Sequence, residues 1–411
     1  MGEGFTKQQA LVKPLQCDAM IRVNAPYPAR VAEVPAVSLS NIPTPAALLD
    51  EQRLTRNIAA MQTRMNALGV RLRPHVKTAK CIEVAQRQRA AGARGITVST
   101  LKEAEQFFAA GFDDILYAVC IAPGKLAQVQ ALRARGCRLT VVVDSIDAAT
   151  AVADASHGSP MDVMIEIDTD GHRAGVKPDA PLLITIGRAL HHGGARLVGV
   201  MTHAGASYEE NTPEGLQRIA EQERSRCVRA ATLLRAAGLP CAEVSVGSTP
   251  TALSATTLEG VTEVRAGVYV FHDLVMCNIG VAGHDDIALS VLASVIGHQL
   301  EKGWVLVDAG WMAMSRDRGT QAQAVDYGYG AVCDADGALL SDWRMGGANQ
   351  EHGIISRHDG VVDADLASRF PIGSLLRVLP NHACATAAQF ACYDVITADG
   401  SQARWPRFNG W

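Results

Sequence analysis

Apolar and polar residues alternate with two different periods between residues 43 and 280. Apolar residues from Leu54 to Leu68 recur every three or four positions and predict an amphipathic helix, which Gly69 is placed to end. Runs rich in β-branched residues predict eight strands at 70–73, 96–99, 115–119, 139–144, 163–168, 197–203, 244–248 and 264–270. Strands that alternate with helices are typical of parallel α/β folds, and eight of them predict a (β/α)8 TIM-like barrel over 43–280.

The pattern changes after residue 280. Strand-like runs at 287–298, 304–308, 329–333, 374–379 and 390–396 follow one another without long helices, which predicts a C-terminal antiparallel β domain over 281–411. Residues 1–42 show no clear period and form an N-terminal extension, whose association with the β domain stays open. An open doubly wound sheet is the alternative architecture, which the strand count and the lack of G-x-G-x-x-G after the first strand disfavour.

Composition and charge narrow the class of protein. Of the 411 residues, 48% are hydrophobic and 19% are charged, as in ordinary globular proteins. The net charge of −4 leaves no positive excess for a nucleic acid or a membrane surface, so the expected partner is a small molecule. The ten cysteines contain no C-x-x-C pair, and the sequence shows neither a signal-peptide core nor a membrane-length apolar run. These features predict a cytoplasmic protein without a disulfide framework.

A lysine follows the first predicted strand. In a (β/α)8 barrel the reacting groups lie at the carboxyl ends of the strands, where this sequence reads His75-Val76-Lys77-Thr78. An ammonium group that loses hydration in a barrel mouth gives up its proton more readily, so Lys77 is the candidate for a Schiff base. Most lysines are surface residues, and Lys80 is nearby, but Lys77 is the better placed of the two.

Two loops match the phosphate site found in many barrels. Gly247-Ser248-Thr249 follows the seventh predicted strand, and Gly267 lies in the eighth. Glycine allows backbone N–H groups to approach a phosphate, and hydroxyl groups add hydrogen-bond donors. Either motif alone fits an ordinary turn or bulge, whereas their joint occurrence in these two loops favours a phosphate cradle.

A lysine after strand one that faces such a cradle describes a pyridoxal phosphate site. Arg173 follows the fifth predicted strand, where its guanidinium can hold the cofactor phenolate or form a salt bridge at the rim. His203 follows the sixth strand, where its ring can stack on the cofactor or satisfy a core hydrogen bond. The pattern alone does not choose between these roles.

A histidine and a cysteine stand two residues apart in the predicted β domain. On an extended segment this spacing places His382 and Cys384 on the same side. Nitrogen and sulfur ligands favour Zn²⁺, and a site with two protein ligands leaves positions for water and substrate. Spacing alone favours a buried structural cysteine, because H-x-C is short and cysteine is commonly buried.

Taken together, these segments carry a family resemblance. From about Thr44 to the C-terminus the chain resembles the fold-type III pyridoxal-phosphate enzymes related to D-serine dehydratase and D-threonine aldolase, with the alanine racemase barrel as a more distant relative. The motifs that carry it are RPHVKT, ITVSTLKEAEQFFAAG, EIDTDGHR, THAGASYE, VSVGSTPTAL, EVRAGVYVF, DAGWMAMSRDRGT, GANQEHG and LPNHACAT. The resemblance implies a barrel of the alanine racemase type followed by the β domain.

The resemblance also implies roles for the candidate residues. Lys77 would carry pyridoxal phosphate as a Schiff base, and His203 and Tyr208 would lie near the ring as catalytic residues. The other implied cofactor contacts are His75, Arg173 at O3′, Gly247, Ser248, Thr249, Gly267, Val268 and Tyr269, with Tyr208 among them. His382 and Cys384 would bind a divalent metal, Zn²⁺ first and otherwise Mn²⁺, Co²⁺ or Mg²⁺. The family is dimeric, with the β domain of one subunit over the barrel mouth of the other.

The implied activity is that of a lyase, a dehydratase that removes ammonia from a β-hydroxy-D-amino acid. D-threo-3-Hydroxyaspartate would give oxaloacetate and ammonia, and D-serine would give pyruvate and ammonia. Aldolases of the family usually carry aspartate at the position of Cys384, which favours dehydration. The alternatives are an aldolase that yields glycine and an aldehyde, a racemase, a non-catalytic pyridoxal-phosphate-binding barrel and a metal-dependent hydrolase. Arg316 and Arg318 either read a second substrate carboxylate or form an ion-paired loop.

Overall fold

Strands and helices alternate through the first two thirds of the chain. The computed structural model describes residues 39–411. In chain order the elements of this part are β1 (Ala46–Asp50), α1 (Glu51–Ala67), β2 (Arg71–Leu72), α2 (Ile82–Ala90), β3 (Ile96–Val98), α3 (Leu101–Ala109), β4 (Asp114–Cys120), α4 (Leu126–Ala134), β5 (Arg138–Val143), α5 (Ile146–Ala155), β6 (Asp162–Glu166), α6 (Pro181–His192), β7 (Arg196–Met201), α7 (Pro213–Ala236), β8 (Glu243–Val246), α8 (Thr249–Ser254), β9 (Glu263–Val264) and α9 (Leu274–Asn278). Short 3-10 helices lie at Leu39–Asn41, Pro123–Lys125, Gly205–Tyr208, Val268–Val270, His284–Asp286 and Leu300–Lys302.

Strands β2 to β9 form one parallel sheet. They pair in the order β2-β9-β8-β7-β6-β5-β4-β3, and a parallel bridge between His75 and Thr97 joins the two edge strands into a closed barrel. The predicted (β/α)8 barrel is therefore confirmed. The eighth strand is shorter than the predicted 264–270, because the chain leaves the sheet after Val264 and turns into the 3-10 helix Val268–Val270.

The first helix shows why local sequence predicts these elements well. The Asp50 side chain accepts a hydrogen bond from the Arg53 N–H and caps α1. The predicted apolar face, including Leu54 and Ile58, is buried against the barrel. Each buried side chain of this kind contributes roughly 1.5–3 kcal/mol. Gly69 has a φ of +72°, the left-handed conformation that ends helices, as predicted.

The C-terminal part is built from strands with short helices. Its elements are β10 (Leu289–Gln299), β11 (Trp304–Val307), α10 (Trp311–Met314), β12 (Gly330–Cys333), β13 (Leu339–Ala348), β14 (Gly353–Arg357), α11 (Leu366–Arg369), β15 (Leu375–Pro380), α12 (Ala383–Ala387), β16 (Cys392–Ile396) and β17 (Gln402–Pro406). The sheet runs in the order β11-β14-β13-β12-β15-β10-β1-β16-β17, and β11 also pairs with β10. This second pairing closes β10 to β15 into an antiparallel barrel, so the predicted antiparallel β domain is confirmed.

Strand β1 belongs to this second sheet and not to the (β/α)8 barrel. It pairs antiparallel with β10 and parallel with β16. The predicted barrel segment 43–280 therefore includes a strand of the β domain, a difference that arises because strand pairing over about 240 residues leaves no local pattern. Just before β1, Leu39 and Ile42 pack on Leu48 and Leu292, so this end of the predicted extension lies on the β domain. Residues 1–38 of the extension lie outside the described residues.

Two further expectations concern the environment of the protein. In the part of the chain from residue 39 onward, no helix combines the length and apolar character needed to cross a membrane. No disulfide bond joins the cysteines of this same part.

Candidate active site

A cavity of about 730 Å³ opens at the carboxyl ends of the barrel strands, where the segment 382–384 of the β domain meets it. This is the expected place for the reacting groups of a (β/α)8 barrel. The sequence-predicted residues that line it are His75, Lys77, Arg173, His203, Tyr208, Gly247, Ser248, Thr249, Gly267, Val268, His382 and Cys384. The fold thus brings nearly the whole predicted site together.

Tyr269 is the predicted cofactor residue that does not line this cavity. Its side chain is fully buried, and its hydroxyl accepts a hydrogen bond of 2.8 Å from the Gln88 amide on α2. The cause is the 3-10 turn after β9, which directs Tyr269 into the core where a continued strand was predicted. Only its backbone serves the site, because the Tyr269 N–H donates to Thr249 Oγ1 at 3.2 Å.

Lys77 and Lys80 have different surroundings. Lys77 lines the cavity, whereas Lys80 Nζ lies 3.1 Å from the buried carboxylate of Glu103. The segment that carries both lysines is held by the β domain, because the Tyr393 hydroxyl donates to the Ala79 carbonyl oxygen at 2.7 Å. Lys80 is therefore a structural ion pair, and Lys77 is the amine available to a ligand.

Two histidines lie beside Lys77 in the cavity. Burial and the charge of Lys77 lower the pKa of His203 to about 3. Burial, with Lys77 and Arg265 adding to it, lowers the pKa of His75 well below its usual value. Both imidazoles are therefore neutral at neutral pH. His203 Nδ1 lies 3.0 Å from the Gly247 carbonyl oxygen, and its ring centroid lies 6.0 Å from that of Tyr208.

Two glycines allow the backbone to approach closely at the predicted phosphate loops. Gly247 has a φ of +133°, and a Cβ there would lie 2.8 Å from the Arg265 nitrogen. A Cβ on Gly267 would lie 3.0 Å from the His75 carbonyl oxygen. Between them Ser248 caps α8 by accepting from the Thr251 N–H at 3.2 Å. A side chain at either glycine would push these loops apart.

Arg173 lies at the rim of the cavity, in a position that is compatible with both of its predicted roles. Its guanidinium is 3.5 Å from Glu166, a nearly buried carboxylate at the end of β6 that also accepts from the Cys120 thiol at 3.1 Å. The Arg173 side chain remains 56% exposed and lines the cavity. The rim salt bridge is therefore present but loose, and it leaves guanidinium donors for a ligand.

His382 and Cys384 are brought together at the cavity edge. His382 Nδ1 lies 2.6 Å from Asp317, which leaves Nε2 as the ring nitrogen for a metal. Cys384 Sγ lies 3.2 Å from the Thr78 hydroxyl. Burial opposes the charged forms, but the Cys384 charge and the Asp317 hydrogen bond raise the pKa of His382 to about 11, and the His382 charge lowers the pKa of Cys384. Each group thus shifts the other toward its charged form, and a metal that binds Nε2 would replace the proton there.

The H-x-C segment is fixed by a carboxylate that sequence reasoning missed. Asp273 accepts from the Met276 N–H at 3.0 Å and from the Ala383 N–H at 2.9 Å, so it caps α9 and holds the residue between His382 and Cys384. Within residues 39–411, no group of three or more His, Cys, Asp or Glu side chains is arranged to hold a metal ion. The pair is therefore at most a two-ligand site in the described chain.

Other residues of the site also escaped the sequence analysis. Arg265 is buried on the cavity wall and donates to the Ser245 hydroxyl and the Thr202 carbonyl oxygen. It stands in the EVRAGVYVF motif, which was a usable signal. Asp317 lies 65 residues from its partner His382, and although it stands in the DAGWMAMSRDRGT motif, nothing in the sequence indicates this contact.

The two arginines considered for a substrate carboxylate are not part of the cavity lining. Arg318 pairs with both oxygens of Asp326 at 3.1 and 3.0 Å. The Arg316 guanidinium lies 4.2 Å from the centre of the Trp311 ring. For Arg318 the ion-paired loop is therefore the arrangement observed, and in the described residues neither arginine reaches the cavity.

Comparisons with known proteins identify the family of this chain. Residues 49–274 match the family model "Alanine racemase, N-terminal domain", and residues 288–396 match the model "Putative serine dehydratase domain". The chain belongs to the alanine racemase-type barrel family, in the branch that carries the serine dehydratase domain. The family predicted from the motifs is thereby confirmed.

Individual relatives cover nearly the whole chain. D-threo-3-Hydroxyaspartate dehydratase from Delftia sp. (strain HT23) is 64% identical over 377 residues, 91% of this chain and 99% of the relative. D-Serine dehydratase from Dictyostelium discoideum is 33% identical over 386 residues, 88% of this chain and 95% of the relative. D-Threonine aldolase from Arthrobacter sp. is 31% identical over 376 residues, 89% of this chain and 92% of the relative.

Solved structures support the same relationship. That of the Delftia dehydratase superposes with a TM-score of 0.90 at 64% identity, covering 92% of this chain and all of the other. Two mutants of a D-threo-3-hydroxyaspartate dehydratase that is 64% identical to this chain have also been solved, one with histidine replaced by alanine and one, in a metal-free form, with cysteine replaced by alanine. The two mutated positions are two residues apart.

Proposed function

We propose that the protein is a pyridoxal-phosphate- and divalent-metal-dependent dehydratase of a β-hydroxy-D-amino acid. The first substrate is D-threo-3-hydroxyaspartate, which gives oxaloacetate and ammonia, and the second is D-serine, which gives pyruvate and ammonia. The observation that carries this proposal is that one cavity contains Lys77 and the His382/Cys384 pair, with the Thr78 hydroxyl in contact with Cys384. The 64% identity to a dehydratase of this substrate supports it.

The cavity fits pyridoxal phosphate. An amine and a close-packed glycine cradle, Lys77 and Gly247 with Gly267, line the same space. His75 Nδ1 is buried and has no hydrogen-bond partner among the described residues. A polar atom of this kind is rare in native structures, and its place on the cavity wall fits a bound group. Arg173 would contact O3′, and Ser248, Thr249 and Val268 would surround the phosphate with the two glycines.

The donor set at the cavity edge also fits a divalent metal. His382 offers a nitrogen whose ring is oriented by Asp317, and Cys384 offers a sulfur whose thiolate form is favoured. Nitrogen and thiolate ligands suit Zn²⁺ best, with Mn²⁺, Co²⁺ and Mg²⁺ as alternatives. The mutated histidine and cysteine of the 64% identical dehydratase have the same two-residue spacing.

Different residues of this chain would have different roles in the reaction. When bound, pyridoxal phosphate would accept negative charge from the substrate Cα and the metal would polarise the β-hydroxyl. Lys77 would hold the cofactor and would take the Cα proton. His203 is a neutral and weakly basic imidazole, because burial and the Lys77 charge lower its pKa to about 3. Burial, and then Cys384 and Asp273, raise the pKa of Tyr208, so its hydroxyl stays protonated and can donate.

The chemistry balances without an added oxidant or reductant. Loss of the Cα proton and the β-hydroxyl removes one water from the hydroxyamino acid and leaves an enamine. Addition of one water to the imine form of that enamine releases ammonia and the keto acid. An aldolase would instead remove the hydroxyl proton and break the Cα–Cβ bond, as D-threonine aldolase, 31% identical to this chain, would be expected to do.

Product analysis separates the two reactions. The purified protein, loaded with pyridoxal phosphate, is mixed separately with D-threo-3-hydroxyaspartate, D-serine and D-threonine, and ammonia, keto acid and glycine are measured with and without chelator. Ammonia with oxaloacetate, lost on chelation and in His382→Ala, is the expected result. Glycine as the main product would contradict dehydration, and absence of any product from a protein with a Lys77-bound chromophore would reduce the function to cofactor binding.

The proposal includes a homodimer in the cytoplasm. In the single chain the His382 and Asp317 side chains remain 42% and 38% exposed, so the metal pair stands at an open cavity edge that a second copy can cover. The lack of disulfide bonds among residues 39–411 is consistent with a reducing compartment. Light scattering of the active protein is expected to give twice the chain mass. Full activity in a monomer would contradict an active site that two subunits share.

A further inference from the structure

One buried carboxylate of the barrel has no role in the proposed reaction. Glu223 lies in the middle of α7, the long helix between β7 and β8, yet it is only 2% exposed. A buried carboxylate must be hydrogen-bonded or paired, because its desolvation is otherwise costly. Its partners therefore indicate why it is there.

Glu223 connects the ends of two neighbouring strands. Its Oε1 accepts from the Ala204 N–H at 3.0 Å and from the Gly247 N–H at 3.0 Å. Ala204 stands three residues after β7, and Gly247 comes directly after β8. These are the two loops that carry His203 and the predicted phosphate cradle. The Gly247 N–H is thus used inside the protein and is not free for a phosphate.

The same contacts close a ring of hydrogen bonds around His203. His203 Nδ1 lies 3.0 Å from the Gly247 carbonyl oxygen. A carbonyl oxygen can only accept, so Nδ1 carries the hydrogen and donates it. Ala204, the next residue in the chain, is held by the same Glu223 oxygen that holds Gly247. One carboxylate oxygen thus fixes both the backbone that carries the imidazole and the backbone that receives its hydrogen bond.

We infer that Glu223 is a positioning residue that locks His203 in its Nδ1–H form and holds the Gly247 loop in the shape that receives the cofactor. His203 Nε2 is then the bare nitrogen of an imidazole that lines the cavity. The part that concerns the cofactor rests on the proposed function. The part that concerns the histidine tautomer does not, because the ring of hydrogen bonds is complete within the chain.

The inference requires an acceptor at Glu223 and not a charge. Burial raises the pKa of Glu223, whereas a hydrogen bond with the Thr251 side chain and the charge of Arg265 oppose that shift. The two N–H bonds converge on a single oxygen, which an amide oxygen can replace. Glu223→Gln should therefore preserve the ring, and Glu223→Ala should leave two buried N–H groups without a partner.

The experiment uses the full chain in three variants. These are Glu223→Gln, Glu223→Ala and the control Glu221→Ala, which lies on the same helix, is 48% exposed and pairs with Arg224. Nitrogen NMR of the histidine side chains, with His203 assigned from His203→Asn, reports the tautomer with and without cofactor. Absorbance titration of the dialysed protein gives the dissociation constant for pyridoxal phosphate.

The expected results differ between the variants. Glu223→Ala is expected to show a mixture of His203 tautomers and a dissociation constant for pyridoxal phosphate raised by about tenfold or more. Glu223→Gln and Glu221→Ala are expected to retain the Nδ1–H form, with a dissociation constant within about threefold of the parent's. If Glu223→Ala does not fold, Glu223→Asp replaces it, since a side chain shorter by one methylene cannot hold both N–H groups, and the same changes are expected.

Two outcomes would overturn the inference. One is an unchanged His203 tautomer in Glu223→Ala or Glu223→Asp. The other is a loss in Glu223→Gln as large as that in Glu223→Ala, which would show that charge and not the acceptor is required. Failure of the proposed dehydratase activity in the parent protein would leave the tautomer measurement intact, so the two claims are tested separately.

Discussion

Single atoms decide how closely the backbone can approach the site. A Cβ on Gly267 would lie 3.0 Å from the His75 carbonyl oxygen, 3.2 Å from the His75 Cβ and 3.3 Å from the Thr78 hydroxyl. The two His75 atoms cannot move away without displacing the segment that carries Lys77. A single methyl group at this position therefore changes the distance between the lysine and the phosphate loop.

Gly267→Ala is expected to weaken pyridoxal phosphate binding about tenfold, because relief of an overpacked contact in a well-packed region costs about 1–3 kcal/mol. Absorbance titration of the dialysed protein measures the affinity. The matched control is Gly346→Ala on β13, where a Cβ would have only ordinary contacts at 3.7 Å. Equal affinities in the two variants would contradict the close-approach argument.

A buried histidine outside the cavity lining gives the protein a defined acid sensitivity. Burial, opposed by the charge of Asp286, lowers the pKa of His272 to about 4. An unfolded histidine takes up its proton near pH 6.5. Between about pH 6.5 and 4 the unfolded chain therefore binds the additional proton, and the free energy of unfolding falls as the pH is lowered through this window.

His272→Asn is expected to reduce the pH dependence of the free energy of unfolding by up to about 1.4 kcal/mol per pH unit within the window, which is the contribution of one proton. Asparagine suits the position because His272 has a φ of +47°, a conformation that asparagine tolerates. Urea denaturation of the variant and its parent at pH 6.5, 5.5 and 4.5 provides the comparison. His358→Asn, at an exposed position, is the control, and an unchanged slope in His272→Asn would refute the assignment.

At the scale of elements, short helices and their caps hold the chemistry in place. Helix α9 spans only five residues, and its cap Asp273 also binds the Ala383 N–H in the segment after β15. This one carboxylate connects helix α9, which follows the last barrel strand, to the H-x-C segment. The orientation of His382 and Cys384 therefore depends on an element that contains neither of them.

Asp273→Ala is expected to lower metal affinity about tenfold to a hundredfold, the usual effect of losing a group that orients metal ligands. Chelator competition measures this affinity, and absorbance titration is expected to show little change for pyridoxal phosphate. Asp286→Ala is the control, because Asp286 also accepts a backbone N–H, that of Gly283 at 2.8 Å, but in an exposed turn. Unchanged metal affinity in Asp273→Ala would contradict the role.

At the scale of the whole molecule, the barrel and the β domain share structure. Strand β1 lies between β10 and β16 although it precedes the barrel in the chain. Ala47, Leu49 and Val395 belong to the same hydrophobic cluster as the residues that pack the barrel strands against their helices. The segment of Lys77 is in turn held by Tyr393 of β16. The β domain thus supplies both the His382/Cys384 pair and part of the support for the lysine.

A fragment of residues 281–411 is expected to lack a stable fold, because without β1 the strand β16 loses its parallel partner and the shared cluster is exposed to water. Circular dichroism melting and proton–nitrogen NMR of the fragment, compared with the full chain, test this. A cooperative melting transition and a dispersed spectrum from the fragment alone would show that the domain is independent of β1.

Local sequence was enough to predict the secondary-structure elements. The eight barrel strands, the helix after Asp50 and the later change to strands follow from patterns within a few residues, because burial on one face imposes a period that a short window reveals. Lys77 was singled out by its position after the first strand, whereas the metal-binding role of the H-x-C pair came from the motifs of the family. Tyr269 lies in a segment that these motifs also mark, but its side chain is buried away from the cavity.

Tertiary structure alone decided which distant segments meet. The pairing of β1 with β10, the contact of Asp317 with His382, the Asp273 bond to Ala383 and the Glu223 bonds to Ala204 and Gly247 join residues that are 19 to 246 positions apart. No local period encodes such contacts, since a strand pairs and a carboxylate binds wherever the packing of the whole chain brings a partner. The candidate residues of the cavity could therefore be predicted from the sequence, and the residues that position them could not.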